Sequence, residues 1–326
     1  MKNCIGIDFG SSNTFIYVPN KGSVYNEPTI IAINTNKKSV VETGYLASKM
    51  IGKTSKDVHL YRPVIKGVVA RINPSILYLK KAFKEAKIGR GIEKYSVLFP
   101  VPSDITPVER QALVTIANSI GFKNVFFENQ GLLAQMGSVI DDETKRGSLI
   151  VNIGGGITDI VVSVAKEIVI AKSSYFSGDL IDQTILRYLR SKHHLLIGEK
   201  TAEYIKMKIG SVEIYPENRL IEVSGRDITS SLPHSIILST NEIRNVVLPK
   251  MEELIDSIND VLSVIPPEIA TDILSDGVCI SGGGALLSGM REFLEKRLNI
   301  PVRLAPDPIT SVVNGMRIYI QKHLTK

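Results

Sequence analysis

The stretch Ile5-Gly6-Ile7-Asp8-Phe9-Gly10-Ser11-Ser12-Asn13-Thr14 opens this chain, and Val151-Asn152-Ile153-Gly154-Gly155-Gly156-Ile157-Thr158-Asp159 repeats its design. Each reads as an apolar strand, a glycine turn with small hydroxyl residues, and apolar alternation again. Such a turn exposes consecutive backbone N–H groups with little side-chain bulk in the way, which suits a polyphosphate. Two of them in one chain imply two related halves, each contributing a hairpin to the grip on one nucleotide in a cleft between them. A third strand-to-glycine turn, Val278-Cys-Ile-Ser-Gly282-Gly283-Gly284, precedes a helix expected over Leu286–Leu298, whose N-terminus could receive phosphate or a sugar edge.

Outward from these turns, strands and helices alternate. A strand-type pattern runs from Cys4 to Val18 and from Thr29 to Val41, with Asn26-Glu27-Pro28 read as the turn between them. Helices are expected over Pro74–Lys87, from a Thr106 cap to Ile120, and after the strand Asn124–Phe127 through Met136. In the second half, a β-meander spans Gly147–Lys172, and helices follow over Leu180–Arg190 and Thr201–Ile209. Short strands at Leu220–Ser224 and Ser235–Leu238 precede a long helix capped by Thr240 or Asn241 and ended by Pro266-Pro267. A strand, Ile300–Leu304, follows the last glycine turn. This order predicts an α/β architecture.

A length of 326 residues exceeds one ordinary core, and the 44% hydrophobic and 22% charged shares suit a globular protein. No apolar run reaches 18 residues, and no signal-peptide core fits ahead of the first strand. Cys4 and Cys279 sit in strand-like runs and read as buried free thiols of a reducing compartment. His193 and His194 are adjacent rather than at ligand spacing. The net charge of +6 gathers at Lys80, Lys81, Lys84, Lys87, Arg90 and Lys94. That stretch reads as a solvated helix face or a surface for anionic lipid. Nucleic acid is set aside, because no aromatics interleave the basic residues and no nucleic-acid motif accompanies them.

With the three turns in place, the sequence resembles the superfamily of actin, heat-shock chaperone and sugar-kinase ATPases, and within it the bacterial actin MreB family. The words that carry the resemblance run along the whole chain. They include Asn26-Glu-Pro28, Arg62-Pro63, Lys66-Gly-Val68, Val101-Pro102, Glu109-Arg110, Gly178-Asp179, Asp182, Leu196-Ile-Gly198-Glu199, Thr201-Ala-Glu203-Tyr-Ile-Lys206, Pro266-Pro-Glu268, Gly282-Gly-Gly-Ala-Leu-Leu287 and Asp307-Pro308. The resemblance implies an actin-like ATPase fold: two similar ribonuclease-H-like lobes around a nucleotide cleft, in four subdomains. Lobe I would take residues 1–147 with a small subdomain inserted at about 31–67. Lobe II would take 148–326 with one inserted at about 179–245, and the last helix is expected to pack back on lobe I.

The same resemblance assigns roles. Asp8 would sit at Mg²⁺ through water. Gly10, Ser11, Ser12 and Asn13 would wrap one side of the phosphates of ATP or ADP, and Gly154, Gly155, Gly156 and Thr158 the other. Gly178 and Asp179 would join them, Glu203 and Lys206 would reach the adenosine from one helix face, and Gly282, Gly283, Gly284 and Ala285 would approach ribose and base. Two positions depart from the family pattern. Gln130 stands where a Glu orients the attacking water, and Asn152 where an Asp helps to hold the hydrated metal. An amide positions water but takes up no proton. Losing a water-orienting group costs on the order of 10²–10⁴ in rate, so slow hydrolysis is expected. Glu128, two residues from Gln130 and on the same side if the strand continues, is the substitute carboxylate.

The implied function is nucleotide-dependent self-polymerisation into cytoskeletal filaments for cell shape or motility. The implied setting is cytoplasmic, peripheral at the inner face of the membrane, with paralogues as co-polymer partners. The alternatives are a non-hydrolysing filament partner of a more active paralogue and a small-molecule kinase of the same superfamily. The kinase would need an added substrate pocket with a base, and no insertion here is large enough for one. A chaperone-type ATPase would need a further substrate-binding domain.

Overall fold

A computed structural model describes residues 4–88, 91–138, 146–214 and 217–324. Arg90, counted in the basic stretch, lies outside these, as do residues 1–3 and 325–326 at the ends of the expected lobes.

Two five-stranded sheets share one topology. In lobe I, β1 (Cys4–Phe9), β2 (Asn13–Val18) and β3 (Gly22–Pro28) form an antiparallel meander. β4 (Ser96–Val101) and β5 (Asn124–Asn129) add in parallel on the other side of β1. In lobe II, β6 (Gly147–Ile153), β7 (Thr158–Val164) and β8 (Glu167–Ser174) repeat the meander, and β9 (Val278–Ser281) and β10 (Val302–Leu304) repeat the parallel pair. The duplication read from the glycine turns is therefore a duplication of whole sheets.

Each lobe carries a smaller sheet. Ile31–Asn34, Ser39–Thr43 and Val58–Tyr61 pair beside the short helix Gly44–Lys49, over a small core of Ile30, Ala32 and Ala47. In lobe II, Leu195–Leu196, Leu220–Asp227 and Pro233–Ser239 pair under the helices Gly178–Lys192 and Thr240–Leu262. The lobe I core gathers Ile5, Ile7, Tyr78, Phe83, Phe99 and Phe122, and the lobe II core Ile185, Ile205, Leu238, Met251 and Phe293. Burying each such side chain contributes about 1.5–3 kcal/mol before the entropy of ordering is charged against it.

A third core lies between the lobes. Cys4, Phe15, Tyr17 and Leu98 of lobe I meet Ile150, Val161 and Cys279 of lobe II around the helices Gln130–Ser138 and Ser311–Tyr319. Both cysteines are free and buried, and burial pushes the Cys4 thiol up to about 12. The two helices cross backbone to backbone. A Cβ on Gly137 would lie 1.9 Å from the Ser311 carbonyl oxygen, and one on Gly315 would lie 1.7 Å from that of Leu133. The C-terminal helix thus packs against the lobe I sheet and the helix that joins the lobes.

Four readings change. Asn26-Glu27-Pro28 ends a strand rather than forming a turn; Pro28 is tolerated because it is the last residue of an edge strand. The long helix is capped by Ser239, whose hydroxyl accepts from Glu242 N. Beyond Pro266 a further helix, Pro267–Asp276, begins on proline at its first position. The helix after the third glycine turn starts only at Met290, behind Gly289 at φ +80, and Gly283–Leu286 form a single 3-10 turn.

Candidate nucleotide site

The two sheets bring the glycine turns face to face. Both hairpins close the same way: Gly10 N–H donates to Asn13 O at 3.1 Å, and Gly154 N–H to Ile157 O at 2.9 Å. In both, a Cβ on the glycine would collide with that carbonyl, at 2.8 and 2.7 Å. Ser12 Oγ lies where a Cβ on Gly155 would sit 1.9 Å from it, and Ser11 Oγ 2.4 Å from one on Gly156. The second turn can therefore approach the first only as glycines.

The carbonyls of the second turn are already occupied. Gly178 N–H donates to Gly154 O at 3.1 Å, and Asp179 N–H to Gly155 O at 2.7 Å, so the first turn of the helix Gly178–Lys192 anchors this hairpin. The N–H groups of Ser11, Ser12, Gly155 and Gly156 meet no acceptor among the described residues. Small residues at facing turns with free donors form a nest for an anion. Ser11 Oγ also accepts from Gly67 N–H at 2.9 Å, which straps the segment after the small subdomain onto the first turn. Gly67 (φ +77) in turn abuts Ile157, and Lys66 Nζ lies 5.0 Å from the Tyr175 ring centre. Further out, Arg62 pairs with Glu199 at 2.8 Å and Lys200 Nζ donates to Ser48 Oγ at 3.1 Å, joining the two small subdomains across the cleft.

Asp8 stands at the end of β1, its Oδ1 3.8 Å from where a Cβ on Gly10 would be. Among the described residues nothing donates to it, and burial pushes its carboxyl up to about 7. A half-buried carboxylate with no donor fits a cation and its water shell. No cluster of three or more His, Cys, Asp or Glu exists among the described residues, so a metal here would depend on Asp8, water and the ligand's own oxygens.

Several predicted residues serve packing instead. Thr158 is buried and gives its hydroxyl to Phe176 O at 2.7 Å, so it supports the turn from behind rather than facing the phosphates. Gly282 (φ +80) and Gly284 press on Ile153, and Ala285 is buried; of these four only Gly283 borders open space. Lys206 Nζ is committed to Asp182 Oδ2 at 2.9 Å and Gly178 O at 3.2 Å, while Glu203 is exposed. Burial pushes the Asp182 carboxyl up to about 6 against the pull of Lys206, and Asp182 Oδ1 has no partner among the described residues. Asn13 Nδ2 donates to Asn26 Oδ1 at 2.9 Å, bracing the first hairpin.

The catalytic assignments separate. Asn152 is buried, and its Oδ1 accepts from Ser281 Oγ at 3.0 Å, tying β6 to β9. Glu128 makes contacts of its own. Its Oε1 accepts from Asn129 N–H at 2.8 Å, and after burial its charge helps to push up the phenol of Tyr319 on the C-terminal helix. The strand ends at Asn129, so alternation does not carry Glu128 to the side of Gln130.

The residue that organises the cleft floor is one to which sequence reading gave no role. Asp159 is fully buried on β7. Its Oδ1 accepts from Ser103 N–H at 2.7 Å and Ser173 Oγ at 2.8 Å, and its Oδ2 from Gln130 Nε2. Burial raises its pKa, and these donors oppose the rise. Asp104 and Ser173 reinforce the junction, each donating its N–H to the other's side chain. The available signal was a charged residue inside an apolar strand.

Three comparisons bear on this geometry. A family model described as MreB/Mbl protein matches residues 2–326. The cell shape-determining protein Mbl of Bacillus subtilis (strain 168) is 35% identical over 318 residues, covering 97% of this chain and 95% of Mbl. The cell shape-determining protein MreB of Escherichia coli (strain K12) is also 35% identical over 318 residues, covering 96% of this chain and 92% of its own. Among solved structures, MreB5 of Spiroplasma citri bound to ADP superposes with a TM-score of 0.93 at 34% identity, covering 98% and 97% of the two chains. Its AMPPNP-bound form gives 0.94 at 34%, covering 99% and 98%. A MamK double helical filament shares the fold with a TM-score of 0.82 at 18% identity, covering 99% of each chain.

Proposed function

This chain belongs to the MreB/Mbl family, with an actin-like fold, and on that premise we propose that it binds ATP with Mg²⁺ between its facing glycine turns and polymerises into cytoskeletal filaments that serve cell shape or motility. The observation that carries the reading is the pair of hairpins packed close together, with the N–H groups of Ser11, Ser12, Gly155 and Gly156 meeting no acceptor among the described residues. Relatives bound to ADP and AMPPNP at nearly full-length similarity support a nucleotide as the ligand. Asp8 would hold the hydrated Mg²⁺, which supplies charge neutralisation at the phosphates.

Binding between the turns draws Ser11–Ser12 and Gly155–Gly156 onto one ligand. Nucleotide thereby stabilises the closed lobes that Arg62–Glu199 and Lys200–Ser48 already join. Closure fixes the relative placement of the lobes, which is what a repeating contact between subunits requires. Hydrolysis would be slow, because Gln130 can orient water but cannot accept its proton.

The test is sedimentation with and without Mg-ATP, with phosphate release followed in the same sample. Mg-ATP is expected to bring the chain into the pellet, with phosphate appearing much more slowly than polymer. No polymer with any nucleotide overturns the filament reading, and fast phosphate release overturns the slow-site reading. Polymer with no phosphate at all favours the non-hydrolysing partner of a paralogue.

A cytoplasmic position at the inner face of the membrane is part of the same proposal. Lys80, Lys84 and Lys87 rim a hollow of about 310 Å³ floored by Phe83, Ile88, Ile92 and Ile120. No described helix is long and apolar enough to cross a membrane. At about 1 kcal/mol per lysine near an anionic surface, replacing all three with alanine is expected to weaken vesicle binding about 100-fold. Co-sedimentation with phosphatidylserine vesicles measures this, and unchanged binding removes this face from the proposal.

A further inference from the structure

Gln130 looks like a simple loss of a carboxylate, yet its surroundings demand an amide. Asp159 Oδ1 already receives the Ser103 N–H and the Ser173 hydroxyl. Ser173 Oγ accepts from Asp104 N–H, so its proton is directed to Asp159. Ser103 Oγ in turn accepts from Asn129 Nδ2 at 2.9 Å. These donors oppose the rise that burial brings and favour the ionised carboxylate, which can only accept. The group facing its Oδ2 must therefore be a donor, which fixes the Gln130 amide with Nε2 inward and leaves Oε1 free of any described partner.

The backbone enforces the approach. Gly131 lies so close to β7 that an added Cβ would sit 2.4 Å from Val161 Cγ2 and 3.3 Å from Asp159 Cβ. Asn129 holds the start of the helix Gln130–Ser138 by accepting from Leu132 N–H at 2.9 Å. Residue 130 cannot swing away from Asp159 without unmaking this junction.

We propose that Asp159 is a positioning residue that dictates what residue 130 can be: it holds the Gln130 amide nitrogen, presents the amide oxygen as the acceptor that orients water, and excludes a carboxylate at position 130 unless residue 159 becomes a donor. The water-orienting half of this rests on the ATPase reading above; the pairing half does not. The junction also reports lobe closure. Ser103 and Gln130 come from lobe I and its connecting helix, Asp159 and Ser173 from lobe II. The oxygen of Gln130 is thus set in place only when the lobes meet.

Four proteins test it: wild type, Gln130→Glu, Asp159→Asn, and the double variant carrying both changes. In Gln130→Glu two carboxylates face each other, so one keeps a proton and its pKa rises. A raised carboxyl pKa means that stability falls as pH rises through it. Thermal unfolding between pH 5 and pH 9 is expected to show this slope in Gln130→Glu. The double variant is expected to lose most of it, because the amide introduced at position 159 donates to the carboxylate introduced at position 130. Asp159→Asn keeps the shape but turns the Gln130 amide around. It is expected to lower the single-turnover phosphate rate about 10–100-fold at saturating ATP while leaving ATP affinity within about twofold. The double variant, with a carboxylate correctly held, is expected to release phosphate faster than wild type. A Gln130→Glu protein as stable as wild type at every pH, or a double variant no better than Gln130→Glu, overturns the pairing. The pairing pattern without phosphate release from any of the four overturns the ATPase reading and leaves the pairing standing.

Discussion

Gly315→Ala is expected to lower the melting temperature by about 2–5 °C, the largest stability loss from adding one methyl group anywhere in the lobe junction. In most helices the same change stabilises by up to about 1 kcal/mol, because alanine is the better helix former. Here the added Cβ would lie 1.7 Å from Leu133 O and 2.6 Å from Leu133 C, atoms of a backbone that cannot rotate aside. The helices Gln130–Ser138 and Ser311–Tyr319 must therefore move apart, opening the core formed by Leu98, Ile150, Met316 and Ile320. Overpacking of this kind costs about 1–3 kcal/mol and more where backbone meets backbone. Gly137→Ala, 1.9 Å from Ser311 O, is expected to behave alike. Scanning calorimetry without ligand checks both, and melting points within about 1 °C of wild type would show that the helices do not cross this tightly. Because the crossing lies where the lobes join, Mg-ATP is expected to recover part of the loss by favouring closure.

Asp8→Asn is expected to raise the stability of the metal-free protein and to remove the Mg²⁺ dependence of ATP binding. The carboxyl titrates at about 7 when folded, against an ordinary value of 3.8. Between those values the folded chain holds a proton that the unfolded chain has released, so stability falls as pH rises from about 4 to about 7 and stays low above. The full shift corresponds to about 4 kcal/mol. Asp8 still keeps part of its surface toward the cleft, so about half of that is expected, or several degrees in melting temperature at pH 8. At about pH 3 and below, where Asp8 is protonated in the folded state and largely so in the unfolded one, variant and wild type should melt close together. These melts are run in EDTA. With Mg²⁺ the order reverses for the ligand: ATP is expected to raise the wild-type melting point more in Mg²⁺ than in EDTA, and to raise that of Asp8→Asn equally in both. A variant that is less stable than wild type at pH 8 would mean that Asp8 has a donor partner, and that the cation is not needed to satisfy it.

Much of the architecture was legible because it is local. Thr106-Pro107 with Glu109 announced a helix start, and a capping box forms there, Thr106 Oγ1 accepting from Glu109 N–H while Glu109 Oε2 accepts from Thr106 N–H. The apolar spacing around Leu79, Ala82 and Phe83 marked the buried face of the helix Ile72–Glu85. What escaped lacks a local signature. Asn26-Glu27-Pro28 reads as a turn by composition, and it becomes the end of a strand because β2 offers it a hydrogen-bonding edge. The helix Pro267–Asp276 hides behind two prolines that stop one helix and start the next. Sequence marked the three glycine turns, but could not say that Thr158, Gly282 and Gly284 brace them from behind.

The sequence by itself determined that two hairpins of the same design exist. Gly10 and Gly154 each stand where a side chain would strike the carbonyl three residues on, a constraint written within four residues. Only the tertiary structure decided what those hairpins face and which carboxylate governs the floor between them. Gln130 and Asp159 are 29 residues apart and meet because two separately folded sheets are pressed together at one junction. A hydrogen bond of that kind depends on where elements dock, and no periodicity or spacing in the chain encodes it. The second turn exchanged its expected carboxylate for Asn152, and the floor is built on Asp159 instead, held by donors that the closed lobes supply.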